Sequence, residues 1–256
     1  MSLQIGPVLR SAGDRLLSRT GAILLAAYIA LTAALLPLSN TMIVRLYERV
    51  GLTEATGAIP LVLDVSLSVA VGGYLLGILA GAYLSIVAVR TFVAGDGGRF
   101  PAGAFTRNVP LAIANVVVGG LVYGLLVAVG SVLFVIPGLL AYVAFLFMLP
   151  YVACEDRNFA DALRESYRLG KGNWLLLGVL LLVVFGFAGV VGVAGGLLSG
   201  LLLPPALGQL TLAFIQSPVS LFSLAVIAAA FDQLREDASE DGPGSTSAAE
   251  TPSTPA

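Results

Sequence analysis

VPLAIANVVVGGLVYGLLVAVGSVLFVIPGLLAYVAFLFMLPYVA, residues 109–153, runs for 45 positions without a charged side chain. A helix crosses the bilayer hydrocarbon in about 20 apolar residues, so this stretch is long enough for two passes and a tight turn. The turn is expected around Gly130–Gly138, where Ser131 and Pro137-Gly138 interrupt the apolar run. A second stretch, 174–231, holds 58 uncharged residues with a break from Gly200 to Pro205 and reads the same way. Positions 21–44 and 65–89 are single charge-free runs, the latter extended back towards Leu61. The chain is therefore expected to be an all-α polytopic membrane protein of six transmembrane helices in three hairpins, near 21–44, 61–89, 109–131, 137–153, 174–198 and 207–231.

Composition agrees. Of 256 residues 58% are hydrophobic and 11% charged, against roughly 25% charged in an average soluble domain. No soluble fold of this size could hide that much apolar surface. The first apolar run is too long for a cleaved signal peptide and is expected to stay as an anchor. With no His and one Cys, Cys154, His-based acid–base, triad or metal chemistry and Cys-cluster metal sites are ruled out. No cofactor and no nucleic-acid partner are expected; the basic residues form no stripe.

Positions 1–231 carry 12 basic and 9 acidic residues and form the six-helix domain; 232–256 carry one basic and six acidic residues and are rich in Pro, Gly, Ser and Thr. That tail is expected to be disordered. The preference for 12 Arg over one Lys suits a high-GC prokaryote. The positive-inside rule sets the orientation. With both termini cytoplasmic, the inner segments 1–20, 90–108, 154–173 and the tail hold 11 of 13 basic residues, and the outer loops, 45–60, 131–136 and 199–206, hold only Arg45 and Arg49. A multi-pass protein of the cell membrane is the expectation.

Each of three inner segments precedes a helix pair. The first (about 3–18) has Ile5, Val8, Leu9, Ala12 and Leu16 at helical spacing. The third (158–171) sets Phe159, Ala162, Leu163 and Leu169 against Asp161, Arg164, Glu165, Arg168 and Lys171, with Asn158 at the N-cap position. The middle one, GRFPAGAFTRNVPLAI, is shorter. All three read as amphipathic helices at the headgroup layer, or as plain connectors. Arg164, Arg168, Lys171 and the boundary residue Trp174 are the candidate contacts to membrane lipids or to a protein partner.

Residues 132–174 combine Pro137-Gly138, Pro150, Glu155-Asp156, Ala162-Leu163, Ser166, Leu169, Gly170 and Trp174 in one block. This block resembles the membrane domain of glycerophosphodiester phosphodiesterases and of a wider group of uncharacterised six-helix prokaryotic membrane proteins. The resemblance covers about a sixth of the chain closely. It implies a six-helix membrane fold. It carries no phosphodiesterase activity across, because the catalytic domain of the fused family members has no counterpart in these residues.

Small residues recur every four positions at Gly73, Gly77, Gly81 and Ser85, at Gly120, Gly124 and Ala128, and at Ala188, Gly192, Gly196 and Gly200. Such faces let helix backbones approach closely. They are expected to serve internal packing, with a homo-oligomer face or an acyl-chain groove as the alternatives. Intramembrane polar content is sparse. Asn115 in the third span and Gln216, Ser217 and Ser220 in the sixth, near Pro218, form the candidate polar site, with helix bridging as the simpler role. Asp64, at the outer start of the second span, is expected to stay near water.

Two functions remain open. One is a non-enzymatic packing or interaction module acting through its cytoplasmic helices on lipid or a partner. The other is a permease or lipid-handling protein with a site between the third and sixth spans.

Overall fold

The computed structural model describes residues 3–95, 98–133 and 135–240. Nine α-helices follow one another among them: α1 (Ile5–Leu16), α2 (Arg19–Arg49), α3 (Leu67–Ala94), α4 (Val109–Leu133), α5 (Val135–Ala144), α6 (Met148–Glu155), α7 (Phe159–Gly170), α8 (Trp174–Leu202) and α9 (Pro205–Glu240). A 3-10 turn, Thr53–Ala58, lies between α2 and α3. Six segments are long and apolar enough to cross a membrane: α2, α3, α4, the α5–α6 pair, α8 and α9. The protein is thus an all-α polytopic membrane protein.

Helices α2, α3 and α9 pack together at the centre, α8 pairs with α9, and α4 pairs with α5. The two short amphipathic helices sit at one end of this bundle, together with both ends of the described chain. We call this end the terminal face. Helix α1 is fastened there at three points: Arg15 pairs with Asp232 of α9 at 2.8 Å, the Leu3 amide donates to Asn173 Oδ1, and the Gln4 amide donates to Gln233 Oε1. Val8 and Ala12 form its buried side. At the opposite end, the buried Asn40 amide donates to Pro60 O at 2.8 Å and to Gln209 Oε1 at 2.7 Å, tying α2 to α9. Asp64 remains exposed and pairs with Arg45 at 3.2 Å.

The structure departs from the sequence reading in four places. The fourth span is not one helix over 137–153. It is α5 and α6, interrupted by a turn at Phe145–Phe147. Pro137-Gly138 does not break the hairpin between spans three and four; both residues lie inside α5. Gly138 serves close approach instead. A Cβ added at Gly130 would lie 2.9 Å from the Gly138 Cα, and one added at Gly138 would overlap Ser131. The middle inner segment forms turns rather than an amphipathic helix. Finally, α9 continues to Glu240, so 232–240, expected to be disordered, is helical. Its polar residues have tertiary partners: Asp232 meets Arg15, and Arg235 meets Glu155 at 3.2 Å. The remainder of the tail, 241–256, lies outside the described residues.

Candidate functional site

Helix α7 organises the terminal face. Asn158 caps it as its residue type predicts, accepting from the Asp161 amide at 2.9 Å. A second acceptor completes the helix start. Asn115 Oδ1 of α4 takes the Phe159 N–H at 2.9 Å, while Asn115 Nδ2 donates to Leu111 O. Asn115 is therefore spent on holding α7 and does not face Gln216.

The buried side of α7 is Ala162, Ser166 and Gly170. Small residues one turn apart let the helix press closely against the broken fourth span. Ser166 is fully buried. Its hydroxyl donates to Ala144 O at 2.9 Å and accepts from the Phe147 N–H at 2.9 Å. These are backbone groups that the interruption between α5 and α6 would otherwise leave unpaired. The break and the amphipathic helix thus form one unit. Sequence reasoning placed Ser166 in a motif but gave it no role, because its partners lie about 20 residues upstream in another helix.

The outward side of α7 carries Arg164, Tyr167 and Arg168, all exposed, with Lys171 following. Among the described residues none of the three cations has an ion-pair partner. Arg164 and Arg168 border a hollow of 450 Å³ whose remaining walls are Phe145, Leu163 and Tyr167. Trp174 backs this face. Its ring meets Tyr167 edge-on at 5.3 Å between centroids and covers Gly170. Its buried indole N–H has no hydrogen-bond partner among the described residues.

The end of α6 is a second charged centre that the sequence did not signal. Arg90, at the end of α3, has only 5% of its side chain exposed. Its Nε donates to Ala153 O at 2.6 Å and its Nη1 to Ala104 O at 3.2 Å. Arg107 donates to Ala153 O at 3.2 Å and to Cys154 O at 2.6 Å. Cations at the carbonyl end of a helix are favoured by its dipole and close its last turn. Asp156, in the left-handed conformation at φ 54°, lies 3.7 Å from Arg90 and 3.1 Å from Arg107. Nearby, Arg157 bridges Glu155 and Glu165, and Arg235 stacks over the Phe231 ring at 5.2 Å.

The glycine rows divide. Gly73, Gly77 and Gly81 face α2, where Cβ atoms would meet Leu38, Leu35 and Leu31 in turn. Gly192 faces Gln216, whose amide lies where a Cβ would need room. Gly120, Gly124 and Gly196 face open space within one copy of the chain. The close approaches fall one residue earlier, at Gly119, beside Met148 and Phe159, and at Gly195, beside Leu212 and Ile215. A helix turns about 100° per residue, so the row chosen by spacing alone points past the contact. Ser217 and Ser220 donate to carbonyls four residues back, Ala213 and Gln216. They satisfy their own helix, in the region where Pro218 removes a donor.

Six membrane-length helices with two amphipathic helices docked at the terminal face define a polytopic membrane protein with a helical cap on one side. The chain belongs to the family described as a domain of unknown function, DUF7847, whose model matches residues 3–234. No curated protein and no solved structure matches it.

Proposed function

We propose that the chain is a non-enzymatic integral protein of the cell membrane, with both termini cytoplasmic, whose terminal face engages anionic phospholipid through α7. The observation that carries this reading is the pairing of Arg164 and Arg168, without an ion-pair partner among the described residues, with an apolar hollow lined by Phe145, Leu163 and Tyr167. A phospholipid offers the matching pair: an anionic headgroup for the guanidinium groups and an acyl chain for the aromatic and aliphatic walls. Lys171 extends the positive edge, and Trp174 supports it from behind. The concentration of basic residues at this end supports its assignment to the cytoplasmic side.

The permease reading draws no support from Asn115 and Gln216. The first is committed to the start of α7 and the second to the α8–α9 crossing. A homo-oligomer remains a role for the outward Gly120, Gly124 and Gly196.

Each basic side chain near an anionic surface contributes about 1 kcal/mol. Replacing Arg164, Arg168 and Lys171 by Gln therefore removes roughly 3 kcal/mol before screening, on the order of 100-fold in preference for anionic over zwitterionic lipid. The full chain in nanodiscs of mixed phosphatidylglycerol and phosphatidylcholine, with retained lipid counted by native mass spectrometry, reads this directly. Equal phosphatidylglycerol enrichment in wild type and triple variant at low salt would remove the proposal.

A further inference from the structure

The geometry points to a second binding site at the other charged centre of the terminal face: a hollow edged by one buried and one exposed arginine that takes a phosphate oxyanion. The hollow measures 180 Å³ and is bordered by Arg90, Arg107, Cys154 and the turn Pro101–Ala104. It is separate from the α7 surface; neither Arg164 nor Arg168 borders it.

Three observations converge. First, Arg90 is almost wholly buried, and its Nη2 has no hydrogen-bond partner among the described residues. The Nε and Nη1 are fixed by Ala153 O and Ala104 O, so the fold sets the orientation of Nη2, which has only a long ion-pair contact to Asp156 Oδ1 at 3.7 Å. A buried guanidinium donor without an acceptor is costly, and a site that keeps one in place is matched to an acceptor arriving from outside.

Second, the charges do not balance locally. Arg90 and Arg107 share Ala153 O as an acceptor and share the carboxylate of Asp156, at 3.7 and 3.1 Å. Arg107 and Asp156 reach solvent, at 46% and 33% side-chain exposure, but Arg90 does not, so the excess positive charge of two cations on one anion is costly at Arg90 unless it is paired. Third, guanidinium forks suit a tetrahedral oxyanion that can accept several N–H bonds at once. Arg90 lies near the end of α3, a helix of membrane-crossing length, and ends of such helices fall near the headgroup layer. The shared chemistry is a phosphate group, supplied by a lipid headgroup or by a free phosphate ion. Asp156 is the internal competitor for the same donors.

The test uses the purified full chain in non-ionic detergent, titrated with inorganic phosphate against chloride at constant ionic strength, with melting temperature as readout. A saturable rise is expected. It should weaken at least tenfold in Arg107→Gln and persist in Arg164→Gln/Arg168→Gln, which separates this site from the α7 surface. Arg107→Lys keeps the charge and should retain part of the response. Asp156→Asn removes the competitor and should move the midpoint severalfold to lower phosphate, whereas a purely structural ion network would lose stability with no change in midpoint. A second arm counts tightly held phospholipid by native mass spectrometry. Loss of a bound lipid in Arg107→Gln identifies a headgroup as the source; phosphate saturation with unchanged lipid identifies the free ion. No phosphate response together with equal lipid retention in wild type and Arg107→Gln overturns the proposal.

Discussion

Replacing Ser166 by Ala removes one oxygen from the fully buried face of α7. The hydroxyl serves both sides of the α5–α6 interruption, donating to Ala144 O and accepting from the Phe147 N–H. Alanine offers neither function and is too small to admit a water without rearrangement. Leaving one buried donor or acceptor unsatisfied costs about 1–3 kcal/mol. A carbonyl retains a second lone pair and some helical character at the end of α5, so the Ala144 side belongs near the low end of that range. The Phe147 N–H, at the start of α6, has no such alternative. The sum is about 2–4 kcal/mol. The control is Ser220→Ala, where an exposed hydroxyl donates only to Gln216 O of its own helix; bonds of this kind in membranes average about 0.6 kcal/mol. Equilibrium unfolding of both variants in mixed micelles, followed by far-UV circular dichroism, measures the difference. If Ser166→Ala and Ser220→Ala both fall within about 0.5 kcal/mol of wild type, the claim that Ser166 closes the break is wrong.

Three further outcomes follow from the packing and charge. Gly77→Leu drives a side chain into Leu35 and should lower the melting temperature in detergent by several degrees, whereas Gly124→Leu, which meets open space, should leave it unchanged. Arg15→Gln leaves Asp232 half-buried without its partner and should loosen α1 by about 1–2 kcal/mol, seen as faster proteolysis between residues 5 and 16 at unchanged span stability. In a Cys154→Ser background on intact cells, an impermeant thiol reagent should label Cys at Glu54 and not at Ser239; the reverse pattern would invert the orientation.

The six membrane passes were legible because the bilayer imposes a length and a polarity that charge-free runs reveal directly. The face of α7 was only half legible. Periodicity gathers Phe159, Ala162 and Leu163, yet the deepest side is Ala162, Ser166 and Gly170. Ser166 is polar by type and buried by circumstance, and that circumstance is a gap in another helix. The same holds for 232–240. Asp232, Arg235 and Glu236 look like the start of a solvated tail until Arg15 and Glu155 are placed beside them. The Arg90–Arg107–Asp156 centre was unreadable for a like reason. Each residue sits beside a span end, where charge is ordinary, and only the fold brings 90, 107 and 156 to one point. Spacing showed that α4 and α8 have glycine rows but not which side meets a neighbour, since Gly119 and Gly120 differ by a rotation that one-dimensional patterns leave free.

The fastening of α1 to α9 has a consequence for biogenesis. Arg15 precedes the first pass and Asp232 lies late in the sixth pass's helix, 217 positions apart. All six passes are synthesised before that contact can form, so α1 must wait at the membrane surface, its Val8 and Ala12 side without the α9 surface it packs on, until α9 has been made. Closing so long a loop is entropically costly when the chain is free, but the inserted passes will by then have brought the two ends together. Docking of α1 is then a step that follows insertion of the sixth pass: a nascent chain stalled before α9 would display an amphipathic helix that has α2 beside it but lacks its main partner.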